Sequence, residues 1–191
     1  MSSAAAPAGT KLGVDVGLAR VGLAGSDPGG ILATPIRTLK RDAKKNSDIR
    51  VLVREVAERS AVQVFVGLPR TMKGGESAST RMAREYADLL AKALADAGLA
   101  VSGNLIDERL TTVSAHRTLH SAGMSSREHR KVVDQVAAVE ILQQALDMQR
   151  ALGRDVGSPV AVPDSVRRGA EALEEESKIP HVHDSDGESR R

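Results

Sequence analysis

Three carboxylates and a few cations, distant from one another in the chain, are the residues whose types suit chemistry. Asp15 lies in KLGVDVGLARVGLAG, residues 11–25, between Gly13 and Gly17. Successive side chains of a strand face opposite sides, so Leu12, Val14 and Val16 share one face and Gly13, Asp15 and Gly17 the other. The acid stands on an otherwise bare surface, and glycine inside a strand marks a place where something approaches the backbone. A metal ion or a phosphate is one such visitor. A hairpin whose Asp15 merely bonds a neighbouring backbone amide is the plainer reading.

Asp107 and Glu108 follow the apolar stretch 99–106. In a strand that persists to residue 108, Ile106 and Glu108 share a face and Asp107 takes the other, so one acid serves a site and Glu108 is the expected one. Asp134 falls in KVVDQVAAVEILQQALDMQR, residues 131–150, on the helical face of Ala138, Ile141 and Ala145. A lone charge among aliphatic side chains is costly, so Asp134 calls for a salt bridge or a metal. Three oxygen donors without His or Cys select Mg2+ or Mn2+. Such a site, with positions left for water and substrate phosphate, is the arrangement for two-metal in-line displacement at a phosphodiester.

The cations are Arg70 and Lys73, beside Gly74 and Gly75 in RTMKGGESAST, and Arg109 next to Glu108, with Thr111 close by. The loop opens at the end of a short strand, where binding residues concentrate, and these groups are expected to hold substrate phosphates. A merely solvated loop is the alternative.

The elements that must position these groups follow from periodicity. Residues 11–17 and 20–26 read as a hairpin through Leu18 and Ala19, and Asp27-Pro28-Gly29-Gly30 as a turn. A third strand, about 31–39, contains Pro35, which suits an edge or a bulge. From Ser47 to about Ser60, Ile49, Leu52, Val53 and Val56 make one face of an amphipathic helix. VQVFVG, 62–67, is a strand, and a helix over about 78–97 stops at Gly98. A strand at 99–106 precedes a helix capped by Thr111 or Thr112 that runs to about His120. Met124 to Arg130 reads as a polar, mobile connector before the helix 131–150. The strand-helix-strand order implies parallel pairing with a right-handed crossover. The expected fold is α/β: a mixed sheet with helices on its faces, to which Asp15, Glu108 and Asp134 converge from strand one, a central strand and the last helix.

Composition narrows the partners. A chain of 191 residues with 41% hydrophobic content suits one domain with tails: 1–10 flexible, 11–150 folded, 151–191 polar and disordered. The aromatic fraction is 1%, so nucleic acid would be held through its backbone and metal rather than by stacking. Cysteine is absent, which removes thiol chemistry and thiolate metal sites. Residues 151–191 hold nine acids and six Lys/Arg, leaving 16 acids against 21 bases in the rest, a mildly basic balance that suits a polyanion. The N-terminal MSSAAAPAGT lacks the marks of a signal peptide, and no apolar run approaches the roughly 20 residues of a membrane span. A cytoplasmic protein with no membrane partner is expected. His181, His183 and Asp184 read as part of a polar tail.

The blocks GVDVGLARVGLAGSD, VGLPRTMKGGE, IDERLTT and VDQVAAVEILQQAL resemble the four blocks of the YqgF family, also called RuvX, in order and spacing over about residues 11–150. The resemblance implies an RNase H-like fold and a metal-dependent nuclease that matures the 5′ end of pre-16S rRNA during ribosome biogenesis, with resolution of branched DNA at Holliday junctions as the second activity. It puts the family's acids on Asp15, Glu108 and Asp134. Two positions depart: Gln135 replaces the usual Ser after the aspartate, and Leu146 the usual aromatic near the helix end. Two other classes fit the chain less well. A strand-one D-x-G also opens actin/hexokinase-type phosphotransferases, but those need a second large lobe for which one domain has no room. A non-catalytic RNA-binding or assembly protein on the same fold would do better without three acids. The sequence leaves both a monomer and a homodimer open.

Overall fold

The computed structural model describes residues 5–69, 75–108 and 126–161, and for 126–133 the backbone alone. Alternating apolar residues make Lys11–Val16 (β1) and Arg20–Ser26 (β2) an antiparallel hairpin, closed by the Gly17 N–H donating to the Arg20 carbonyl at 2.8 Å. Ala33–Lys40 (β3) adds to β2 on the outside. Pro35 sits on this edge strand, and the register slips beside it between Leu23 and Ala24, so the edge and the bulge that a strand proline calls for are both present. The strand starts two residues later than its apolar run suggests. Asp27 Oδ1 accepts from the amides of Ile31 and Leu32 at 2.8 and 2.7 Å, which keeps those residues in the turn.

Ser47–Glu58 (α1) leads to Gln63–Leu68 (β4), parallel to β1, and Ala78–Asp96 (α2) to Ser102–Asp107 (β5), parallel to β4. Ser77 and Thr80 form a capping box at the start of α2, and Gly98, at φ 70°, takes the left-handed turn after its end. Ser126–Leu152 (α3) and Ser158–Pro159 (β6) complete the described elements. Among them the sheet runs β3-β2-β1-β4-β5-β6, with β6 antiparallel to β5. No described helix is long and apolar enough to cross a membrane.

The two faces of the sheet are covered differently. Leu12, Val14, Val21, Leu23, Val64, Val66 and Leu105 face α1 and α2, where Leu52, Val56, Tyr86 and Leu90 close the larger core. Ala24, Phe65 and Ile106 face α3, meeting Ala138, Ile141, Leu142, Ala145 and Leu146. The parity expected for β1 therefore holds, and the glycine face is the face of α3.

Two expectations need correcting. Ser126 to Arg130, read as a polar connector, form the first turns of α3; the run has no Gly or Pro and consists of residues that a helix tolerates on a polar surface. The boundary expected at Arg150 also falls too early. α3 continues to Leu152, Val156 is buried, and β6 pairs Ser158 and Pro159 with Leu105 and Asn104. The helix expected before His120 and the tail 162–191 lie outside the described residues.

That extension is anchored by a buried polar cluster at the starts of β4 and β5. Asp155 Oδ1 accepts from Gln63 Nε2 and Gln149 Nε2, both at 2.9 Å, and from the Val156 amide at 2.8 Å. Asn104 Nδ2 donates to Asp155 Oδ2 at 3.3 Å and to the Val156 carbonyl at 2.7 Å. Burial lowers the pKa of the neighbouring Lys11 ammonium, while Asp155 and Asp27 pull it back up. Gln63, Asn104 and Gln149 are all buried, so their amides depend on this carboxylate. Asp155→Ala should destabilise the protein by about 2 kcal/mol, the cost of leaving buried donors short of an acceptor. Urea denaturation checks it; an unchanged midpoint would show that water replaces the carboxylate.

Candidate active site

The floor of the site is the end of the α3 face where β1, β4 and β5 finish. Asp15 is on β1 and pairs with Gly22 of β2. On its other side, one residue beyond the Val14–Val66 pair of β1 and β4, stands Gly67. Neighbouring strands lie about 4.8 Å apart. Asp15 is thus flanked by two residues without side chains, and each is roofed by another of the three acids.

Over Gly22 lies the backbone of α3. A β-carbon there would fall on the carbonyl oxygen of Asp134 and within 3.4 Å of Ala138 Cβ. Over Gly67 lies Glu108, whose Oε1 would be 2.8 Å from a β-carbon, beside the Ile141 side chain. Gly13 repeats the pattern deeper in the sheet, under Leu142 Cβ at 2.6 Å and the Ala138 carbonyl at 2.7 Å. The visitor that Gly13 of β1 and Gly22 of β2 admit is therefore helix α3, which brings Asp134 above Gly22, the β2 neighbour of Asp15; Gly17 instead meets the Arg20 carbonyl of its own hairpin. Glu108 follows β5 on the face of Ile106, as its parity requires, and Asp107 pairs with Leu68 on the face of α2.

Asp134 carries the ion pair that was one of its two sequence readings. Arg20 Nε donates to Asp134 Oδ2 at 2.5 Å, with both side chains partly exposed. Arg20 begins β2 two residues before Gly22, so it projects to the same face. Sequence reasoning passed over it. The signal was present in the hairpin, which puts Asp15 and Arg20 on one face at its closed end. Among the described residues no three acids converge tightly enough to hold one ion. The donor chemistry, three carboxylates on neighbouring elements, still suits a hard divalent cation.

The phosphate-binding candidates Arg70, Lys73, Gly74, Arg109 and Thr111 lie outside the described residues. Their flanks are placed. Pro69 follows the last residue of β4, and its carbonyl accepts from Thr80 Oγ1 at 2.5 Å, which ties the exit of the strand to the first turn of α2. Arg109 is the residue after Glu108.

The family model described as "RuvX: Holliday junction resolvase" matches residues 9–148. The chain is 49% identical over 162 residues to a protein of Frankia casuarinae, covering 83% of this chain and 78% of that one. It is 46% identical over 155 residues to a protein of Streptomyces coelicolor, covering 81% and 89%. Both carry the name "Putative pre-16S rRNA nuclease". Among solved structures, T. thermophilus RuvC in complex with Holliday junction substrate superposes with a TM-score of 0.50 over 79% of this chain and 99% of that one, at 14% identity. That likeness is one of fold, and the mixed sheet with helices on both faces is RNase H-like.

Gly22 tests whether helix contact on the bare backbone builds the site. Gly22→Ala should cost about 2 to 3 kcal/mol, in the range of overpacking a close contact. Gly103→Ala, whose β-carbon would sit 3.5 Å from Val160 Cβ, should leave stability unchanged or raise it by about 0.5 kcal/mol. Chemical denaturation of the pair reads the contrast; equal midpoints would remove the close approach.

Proposed function

The chain belongs to the RuvX family, and from that membership and the placement of Asp15, Glu108 and Asp134 we infer a nuclease that hydrolyses phosphodiester bonds with a divalent metal. The observation that carries this reading is Asp15 between Gly22 and Gly67, with Asp134 and Glu108 above those two glycines. Asp15, Glu108 and Asp134 would hold Mg2+ or Mn2+, which when bound supplies an acidified water and charge stabilisation at the phosphoryl oxygens. The protein's own part is positioning. A central strand fixes Asp15, the Gly67 hollow accommodates Glu108, and α3 holds the Asp134 backbone against Gly22. Arg70, Lys73, Gly74, Arg109 and Thr111, which follow β4 and β5 in sequence, are assigned the role of gripping substrate phosphates.

The substrate favoured by the names of the relatives is precursor 16S rRNA, and we propose that the cut falls near its 5′ end, in the cytoplasm; the family description favours a four-way DNA junction as the second reading. Cleavage of both, end-labelled, with Mn2+ titrated in, decides between them. Asp15→Asn, Glu108→Gln and Asp134→Asn should each slow the preferred reaction by more than about a hundredfold, beyond what losing a supporting group around a metal costs. Their circular dichroism should stay that of the wild type. Wild-type rates in any of the three would remove that residue from the site.

Binding is separable from cleavage. An Arg70→Ala, Lys73→Ala, Arg109→Ala variant should bind nucleic acid more weakly, with a log affinity against log salt slope shallower by roughly 0.7 to 0.9 for each phosphate no longer neutralised. Phosphate contacts carry no base information, so RNAs of equal shape should lose affinity alike. An unchanged slope would mean that the substrate reaches the acids over another surface.

A further inference from the structure

Arg20 and Asp134 are 114 residues apart in sequence, yet their side chains meet at the rim of the three-acid floor. Nothing in β2 requires an arginine there. The strand's packing on this face is done by Gly22 and Ala24, and Arg20 lies beyond them at the closed end of the hairpin. Its guanidinium is bonded to Asp134 Oδ2, one of the two oxygens this acid could offer a metal ion. An ion that took this oxygen would have to displace the guanidinium.

Resting on the metal-site reading above, we propose that Arg20 is a positioning residue that competes with the divalent ion for Asp134. The physical reasons are charge and exposure. A guanidinium keeps its proton at any working pH, so it is a permanent counter-charge for an acid that helix packing brings close to two others. Like charges so placed repel, and the pair relieves that repulsion while the ion is away. Both side chains keep contact with water, at 30% and 22% exposure, so the pair is of the partly exposed kind that separates at small cost. A fully buried pair would lock Asp134; this one yields it. The price is a lower apparent metal affinity, because the ion must displace Arg20.

A purely structural tie between the hairpin and α3 makes the opposite prediction. If Arg20 only steadies Asp134, removing it loosens the acid and weakens metal binding. If it competes, removing it tightens metal binding even as the metal-free protein melts earlier. Calorimetric titration with Mn2+ alone, on the full chain, should give Arg20→Gln a dissociation constant about threefold lower than wild type, the order set by a partly exposed pair. Arg20→Lys, which keeps the charge, should stay near wild type. In an Asp134→Asn background the effect of Arg20→Gln should vanish, since the oxygen contested is gone. An Arg20→Gln affinity equal to or weaker than wild type overturns the competition.

A second measurement serves if Arg20→Gln does not fold. In the wild-type protein the Arg20 Nε–H resonance should move on titration with Mg2+, saturating with the binding curve, and should stay still in Asp134→Asn. A resonance that ignores Mg2+ while the protein binds it also overturns the proposal. The two readings fail separately. Wild-type Mn2+ affinity in Asp134→Asn would sink the three-acid site, whereas weakened affinity there with no gain in Arg20→Gln would sink the competition alone.

Discussion

The structure depends on a helix lying directly on the backbone of a sheet. Gly13 and Gly22 hold no side chain between their strands and α3, and Gly67 leaves room for Ile141 and Glu108 in the same layer. Ala138 and Ala145 keep the helix side equally thin. Glycine within a strand costs about 0.5 to 1 kcal/mol in conformational entropy relative to alanine. The return is a distance. Only with the side-chain layer removed can an acid from the helix reach down to an acid that stands on the sheet. Around this thin strip Phe65, Ile106, Leu142 and Leu146 supply the apolar burial that it forgoes.

A helix resting on so few side chains needs its rotation and register set by other means, and its two ends supply them. At the starts of β4 and β5 the buried amides of Gln63, Asn104 and Gln149 converge on Asp155, a network that one helical register satisfies. At the opposite end Arg20 takes Asp134. One end of the same sheet face is thus closed, and the other is left partly open to solvent, with the acids in it.

Local rules reached part of this from the sequence. Period-two parity put Asp15 with the glycines and chose Glu108 over Asp107, because strand alternation needs no knowledge of the partner. Period 3.6 put Asp134 on the face of Ala138, Ile141 and Ala145. A glycine pattern, however, says that something comes close without saying what, and for β1 the visitor proved to be α3 rather than a ligand alone. Arg20 escaped notice because its partner is 114 residues on and no spacing rule links them. Asp155 and β6 escaped because two exposed residues of strand carry no periodicity, and the carboxylate that fixes them sits in a run of Gly, Pro and charge.

The hairpin then has a meaning that its separate residues lack. Asp15 and Arg20 are five positions apart, joined by the shortest connection among the described elements, and both project to the face of α3. The acid and its counter-charge are therefore placed by one local, rigid unit, while Glu108 and Asp134 come from elements distant in sequence. The docking of α3 that sets the Asp134 backbone over Gly22 also brings its carboxylate to Arg20. The permanent charge that pairs with Asp134 is thus built into the strand pair that carries Asp15. Its position at the solvent edge, rather than beneath the helix, is what leaves the acid free to exchange partners.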